Sequence, residues 1–266
     1  MKKVGLIAGE GTLPVEFVRA AHQRGEKVIV LALKDLASPQ LGVDADKVYW
    51  LKFGQYGKAL FLLLKERINR IVLLGKVRRD IVYKKDAYDD EGRDIFKNLK
   101  NKRDYSILSE ITARLEKLGI EVIAPSEYLS HLLPEKGVLT GQGSGTDLEE
   151  DMKFGYITAK ELAGMDIGQT IIVKDRTVVA AEAMEGTDAT IERGRDIAGD
   201  GCVMVKVSRP DQDMRWDVPT VGPDTIKRLA INKYRGLAIE SERMFLLDKE
   251  KCIELAKEAG IMIKVF

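Results

Sequence analysis

The sequence predicts an α/β protein in two parts, a doubly wound parallel sheet followed by a mixed α/β domain. Three observations carry the prediction. Apolar runs of strand length alternate with helical segments from Lys3 to Ala124. Proline and glycine punctuation gathers between Pro134 and Gly145. Beyond it a hairpin pattern appears and the regular alternation stops. A chain of 266 residues accommodates two domains, placed here at 1–134 and 146–266 with a linker at 135–145.

The elements follow in order. Met1-Lys2-Lys3 ahead of Val4–Ala8 has the outline of a secretory leader, but the apolar stretch is short and runs into Gly9-Glu10-Gly11. Lys3–Ala8 therefore reads as a first strand. Leu13–Arg24 is a helix, with Pro14 in its first turn and Gly25 past its end. Lys27–Leu33 is apolar almost throughout, as a strand covered on both faces requires. Lys47–Leu51 is a weaker strand, Lys58–Arg67 a helix and Arg70–Leu74 another buried strand. Within the helix, Leu60–Leu64 reads as a buried face rather than a lipid contact. The charged stretch Arg79–Arg103 has no clear period and reads as a solvated face. Asp104 caps a helix to Leu118, Gly119 stops it, and Ile120–Ala124 is the fifth strand. Five strands separated mostly by helices give a parallel sheet.

In the second part, Asp147 caps a helix through Ala163. Ile171–Lys174 and Val178–Ala181 form a hairpin about Asp175-Arg176. Ala189–Ile197 is helical, Gly199–Gly201 a turn and Cys202–Val207 a strand. Thr225–Lys233 is a helix, and Met244–Leu247, the helix Lys249–Ala259 and Ile261–Phe266 complete the domain.

Composition narrows the function classes. Apolar residues make up 45% and charged residues 32%, the balance of a globular chain. Lys and Arg number 43 against 42 Asp and Glu, so nothing in the charge argues for a nucleic-acid partner. Cys202 and Cys252 lack the spacing of a metal or redox motif and read as buried thiols of a reducing cytoplasm. The two histidines, His22 and His131, both fall in the first part, which argues against a Cys/His zinc site. No apolar run approaches the ~20 residues of a membrane span.

Two turns of the first part suit phosphate. Gly9 and Gly11, between the first strand and first helix, let backbone amides approach an anion at a helix N-terminus. The third glycine of a dinucleotide fingerprint is absent and Pro14 stands in its place, although Asp35 lies near the position of a ribose-binding acid. A nicotinamide-dependent oxidoreductase is thus a rival reading rather than the preferred one. Gly141-Gln142-Gly143-Ser144-Gly145 reads as a linker or a backbone cradle. Gly75-Lys76-Val77-Arg78 follows the fourth strand, where Lys76 and Arg78 are either phosphate ligands or a solvated basic turn.

The second part carries the chemistry. Ala181-Glu182-Ala183-Met184-Glu185-Gly186-Thr187-Asp188 ends a strand in three acids around a glycine turn. Asp188 suits a helix N-cap, while Glu182 and Glu185 are placed to hold a divalent metal or activate water. After the next strand comes Lys206-Val207-Ser208-Arg209-Pro210-Asp211-Gln212-Asp213-Met214-Arg215-Trp216-Asp217-Val218-Pro219. Period-two alternation sends Asp213, Arg215 and Asp217 to one face. An arginine between acids suits a phosphate beside a metal; the alternative is a surface ion-pair ladder.

At these motifs the chain resembles the LpxI type of UDP-2,3-diacylglucosamine pyrophosphatase, over nearly its whole length. Besides the two acidic segments, Gly5–Pro14, Gly75-Lys76-Val77 and Asp166-Ile167-Gly168-Gln169 carry the resemblance, with Trp216 bulkier than the pattern suggests. The resemblance implies a Rossmann-like N-terminal domain and a C-terminal α/β catalytic domain. It implies Mg²⁺-dependent hydrolysis of UDP-2,3-diacylglucosamine to UMP and 2,3-diacylglucosamine 1-phosphate (lipid X) in lipid A biosynthesis. It also implies a cytoplasmic homodimer in a Gram-negative cell, in peripheral contact with the inner membrane. An essential aspartate is expected at Asp213 or Asp217, with Asp213 preferred. On this reading Asp213, Asp217, Glu185 and Asp188 hold Mg²⁺. Arg215 and Lys206 neutralise the pyrophosphate, Thr187 donates to a phosphate oxygen, and Gly9, Gly11 and Lys76 assist. A non-catalytic nucleotide- or lipid-binding protein is the rival from another class.

Overall fold

The apolar runs of the first part pair in parallel register. In the computed structural model, which describes residues 2–77, 88–97, 104–141 and 145–266, they are Lys3–Ala8 (β1), Lys27–Leu33 (β2), Lys47–Leu51 (β3), Arg70–Leu74 (β4) and Glu121–Val122 (β5). Their order is β3-β2-β1-β4-β5, all parallel. The connecting helices are Leu13–Gln23 (α1), Leu41–Asp44 (α2), Tyr56–Lys65 (α3), Asp90–Lys97 (α4) and Asp104–Lys117 (α5). The alternation read from sequence thus gives the expected Rossmann-like sheet. Phe17, Val18 and Ala21 of α1 are fully buried. Leu62 and Leu63 of α3 face the core, while Phe61 and Leu64 are exposed, so the Leu60–Leu64 run is only half a buried face. Arg114 binds Glu91 and Asp94 of α4 and Glu110 of its own helix at 2.7–2.8 Å.

The chain divides into two units, Met1–Leu129 with Met214–Asp217, and Ser130–Asp213 with Val218–Phe266. The short insertion into the first unit has a clear cause. Trp216 is 2% exposed and packs in the core cluster of Leu31, Leu62, Ile71 and Ile120. Burying an indole is among the larger single contributions a side chain makes to a core.

The second unit comprises Gly137–Thr140 (β6), Thr146–Gly164 (α6), Thr170–Lys174 (β7), Thr177–Ala181 (β8), Thr187–Ala198 (α7), Val203–Lys206 (β9), Thr220–Val221 (β10), Pro223–Ile231 (α8), Gly236–Ile239 (β11), Phe245–Leu246 (β12), Lys249–Glu258 (α9) and Met262–Val265 (β13). Its main sheet runs β6-β13-β11-β9-β7-β8. Strands β9, β11 and β13 are parallel, and β6, β7 and β8 are antiparallel to their neighbours. Ile171 and Val173 meet α6 on one face; Ile172 meets α7, α8 and α9 on the other. A Cβ on Gly155 of α6 would lie 2.5 Å from Val205, so that helix sits flush on the sheet only because the position is glycine.

Three differences from the sequence reading stand out. Gly137–Thr140 lies in the expected linker but pairs with β13, pinned by Thr140 Oγ1, which donates to Ile261 O and accepts from Ile263 N. The central strand β11 was not anticipated, because a four-residue apolar run opening on glycine carries little strand signal. Asp147 and Asp188 do not occupy N-cap positions; Gly145 and Gly186 do, and the acids follow in the first turn near the positive helix end. Cys202 and Cys252 are buried free thiols, and burial pushes Cys252 up to about 12, where it is inert. Among the described residues no helix is long and apolar enough to cross a membrane.

Candidate active site

In the second sheet, register brings several loops to one edge. Thr170 pairs with Lys206, Ile171 with Ala181, and Ile239 with Lys206. Gln169, Glu182, the segment after Lys206, and Glu240 therefore all emerge together. Two strand ends cross so closely here that a Cβ on Gly168 would lie 2.0 Å from the Glu182 carbonyl oxygen. Lys206 Nζ donates to Thr187 Oγ1 at 2.9 Å, and Thr187 Oγ1 donates to Glu182 Oε1 at 2.8 Å. The two predicted phosphate ligands, Lys206 and Thr187, are thus neighbours, and Glu182 completes the chain. An ammonium backed by a hydroxyl and a carboxylate is a fixed point charge suited to phosphate oxygens.

The loop after β9 is held by buried side chains. Ser208 N and Oγ donate to Glu240 Oε2 at 2.7 and 2.8 Å. Lys160 Nζ donates to Glu240 Oε1 at 2.9 Å and to Ser208 O at 2.8 Å. Arg209 pairs with Asp166 at 2.7 Å, and Gln212 Oε1 accepts from Gln169 Nε2 and Arg209 Nε. Arg243 Nη2 donates to the carbonyls of Arg209, Pro210 and Gln212. Ser208, Arg209, Gln212 and Glu240 are all buried. Such a network fixes one loop conformation, and Asp213 is the next residue along it. Sequence reading missed Lys160, Ser208, Glu240 and Arg243. Glu240 alone had a signal, since it follows an apolar run as Glu182 does.

Other predicted ligands are placed differently. Glu185 pairs with Arg193 at 2.7 Å and accepts from the amide of Ala183. Its own backbone amide, with Arg193 and the Ala183 amide, holds its carboxyl below the ordinary glutamate value. Asp188 pairs with Arg228 at 3.2 Å. Neither joins Asp213 in a metal-holding group, and among the described residues no three His, Cys, Asp or Glu side chains are so arranged. The segment 207–219 is not a strand, so period-two alternation does not apply to Asp213, Arg215 and Asp217. Asp213 ends its stretch of the second unit. Asp217 sits at φ 56° in the first unit, and Arg215 pairs there with Glu116 at 2.7 Å.

In the first unit the loops after β1 and β4 meet where the strand order reverses, the usual ligand position of such sheets. They are joined by Gly9 N to Leu74 O, Glu10 N to Lys76 O and Lys76 N to Glu10 O, each 2.9 Å. The Gly9 amide is consequently engaged and does not face an anion. Gly9 is glycine because a Cβ would lie 2.7 Å from Lys76 O. Gly11, at φ 112° with open space around it, keeps the expected character. The amides of Gly11, Thr12 and Leu13 have no hydrogen-bond partner among the described residues and open α1 at its positive end. Lys76 is exposed beside them. Arg78, most of the charged stretch Arg79–Arg103, and Gln142, Gly143 and Ser144 of the expected cradle lie outside the described residues.

Against known proteins, the LpxI N-terminal domain family matches residues 3–132 and the LpxI C-terminal domain family residues 135–264. UDP-2,3-diacylglucosamine pyrophosphatase LpxI of Caulobacter vibrioides is 30% identical, over 99% of this chain and 97% of its own length. Solved structures overlap loosely. The biotin carboxylase domain of a thermophilic 2-oxoglutarate carboxylase gives a TM-score of 0.29 at 12% identity, over 74% of this chain and 33% of that one. N5-carboxyaminoimidazole ribonucleotide synthetase from Thermotoga maritima gives 0.25 at 18%, over 70% and 43%. Overlaps this loose carry no functional argument.

Proposed function

The chain belongs to the LpxI family, and on that premise we propose that it hydrolyses the pyrophosphate of UDP-2,3-diacylglucosamine to UMP and 2,3-diacylglucosamine 1-phosphate in lipid A biosynthesis. The observation that carries the reading is the Lys206–Thr187–Glu182 chain at the edge from which the loop to Asp213 departs. Lys206 and Thr187 hold phosphate oxygens. Asp213, set by the locked loop, orients the water whose oxygen forms the new P–O bond. The P–O bond to the leaving phosphate breaks, that phosphate keeps the electron pair, and the proton lost by the water passes to the Asp213 carboxylate. Within the first unit, Gly11 with the α1 amides, and Lys76, form a phosphate-binding edge of their own.

Mg²⁺ fits the donors present. It binds through one or two carboxylates plus substrate phosphates and water rather than an all-protein cage, which suits a chain whose described residues gather no three-ligand group. Asp213 is the hard oxygen donor assigned to it in the second unit, where Glu185 and Asp188 are further carboxylates, each carrying an ion pair to an arginine. When bound, the ion supplies neutralisation of pyrophosphate charge.

Purified protein given Mg²⁺ and UDP-2,3-diacylglucosamine is expected to release UMP over many turnovers. Stoichiometric binding without UMP release would instead make the chain a carrier of the same ligand.

A further inference from the structure

The apolar run Leu60–Leu64 of α3 serves the core with only part of its length. Leu62 and Leu63 pack with Ile29 and Leu31 of the first sheet. Phe61, by contrast, is 63% exposed and Leu64 is 50% exposed. The other large apolar side chains left exposed in the first unit, Val43, Trp50 and Leu118, lie singly on separate segments. Single exposed apolar residues are ordinary, but two of them three residues apart on one helix form a patch.

The charges around this patch have one sign. Lys58 lies three residues before Phe61 and Lys65 four residues after it, on the same side of the helix. Arg67 follows just past the helix end, at φ 56°. All three are exposed, and none makes an ion pair among the described residues. Within α3 there is no acid. Glu66, which follows it, is engaged by Lys47 and Tyr49. Elsewhere in the same unit Lys47, Arg70 and Arg114 are all paired, so a group of unpaired cations beside exposed apolar side chains is particular to this face.

A protein partner and a lipid surface are the two ways to cover such a face, and the chemistry favours the second. A stable protein interface buries about 800 Å² on each side. A whole aromatic side chain supplies only about 150–250 Å², so Phe61 and Leu64 fall well short. A second copy of the chain meeting this face across a two-fold axis would also set Lys58, Lys65 and Arg67 against themselves. An anionic lipid surface requires neither a large flat area nor a complementary acid on a partner. It takes a few apolar side chains into the boundary between headgroups and acyl chains and holds cations at the headgroups.

We propose that the outer face of α3 docks the first unit on an anionic membrane surface, with Phe61 and Leu64 inserted and Lys58, Lys65 and Arg67 against the headgroups. The Leu60–Leu64 run, which the sequence offers as a buried face in preference to a lipid contact, then divides between the two roles. The proposal rests on this face alone and not on the hydrolase reading.

The test is co-sedimentation of the full-length protein with vesicles of phosphatidylcholine and with vesicles of phosphatidylcholine containing phosphatidylglycerol. The wild type should prefer the anionic vesicles and be released from them as salt rises. Phe61→Ser should bind them roughly tenfold more weakly. Lys58→Gln and Lys65→Gln should each weaken binding about fivefold. Thermal unfolding of these surface variants should match the wild type, which separates lost docking from lost fold. Binding of Phe61→Ser to the anionic vesicles as tightly as the wild type overturns the proposal. So does a self-association of the wild type that Phe61→Ser abolishes while vesicle binding is unmoved, since the face is then an interface between copies. Turnover of UDP-2,3-diacylglucosamine in detergent, measured on the same proteins, keeps the two claims apart. Turnover with no role for Phe61 in vesicle binding sinks only the docking face. Vesicle binding that depends on Phe61 in a protein without turnover sinks only the hydrolase.

Discussion

The two units fix the loops at their strand ends in different materials. In the first, among the described residues, the loops after β1 and β4 are joined by main chain, with Gly9, Glu10, Leu74 and Lys76 sharing backbone hydrogen bonds. In the second, the loop after β9 is fixed by side chains, with Lys160, Asp166, Gln169, Glu240 and Arg243 reaching it from three other stretches of the chain. A backbone clasp tolerates change in side-chain chemistry and depends on glycine. A side-chain clasp tolerates change in its backbone neighbours and depends on charge.

The comparison breaks first at Glu240. It accepts from Ser208 twice and pairs with Lys160, so Glu240→Ala leaves the buried Ser208 amide without its acceptor and the Lys160 ammonium without its carboxylate. Removing one partner of a buried pair costs about 3–5 kcal/mol, and urea unfolding should show a loss of that order. Glu240→Gln keeps the shape and should recover part of it. Equal stability in all three proteins would mean that the loop is not held by side chains.

The first unit gives the smaller effect. A Cβ on Gly75 would lie 2.7–2.9 Å from Gly9 backbone atoms at φ 99°, while one on Gly11 would meet nothing. Gly75→Ala should therefore cost about 2–3 kcal/mol and Gly11→Ala about 1 kcal/mol in thermal unfolding. Parity between the two would remove the argument that Gly75 exists for the crossing.

The same contrast explains what could be read in advance. The first sheet was legible because its strands are long, apolar and separated by helices, so local pattern and tertiary role agree. The positions of Gly11 and Lys76 just after strands were legible from the sequence. Gly9 was misread, since a glycine that admits an anion and one that admits another main chain look alike in sequence. The second site was half legible. Lys206, Thr187 and Glu182 lie beside strand ends and were noticed, but Glu240 follows the unrecognised strand β11, and Lys160 is one lysine among many on a helix. Nothing local announces Arg193 or Arg228 as the ion-pair partners of Glu185 and Asp188. The excursion of Met214–Asp217 was invisible for a related reason. Only the folded first unit shows the hole that Trp216 fills.

The central claim is that an aspartate at the end of the side-chain clasp drives pyrophosphate cleavage. It is tested most directly by the rate of UMP release from UDP-2,3-diacylglucosamine, with Mg²⁺, by the wild type, Asp213→Ala and Asp217→Ala. The account predicts a loss of about 10²–10⁴-fold in Asp213→Ala, the range for a positioned catalytic carboxylate, and a smaller loss in Asp217→Ala. Wild-type turnover in both variants would contradict it.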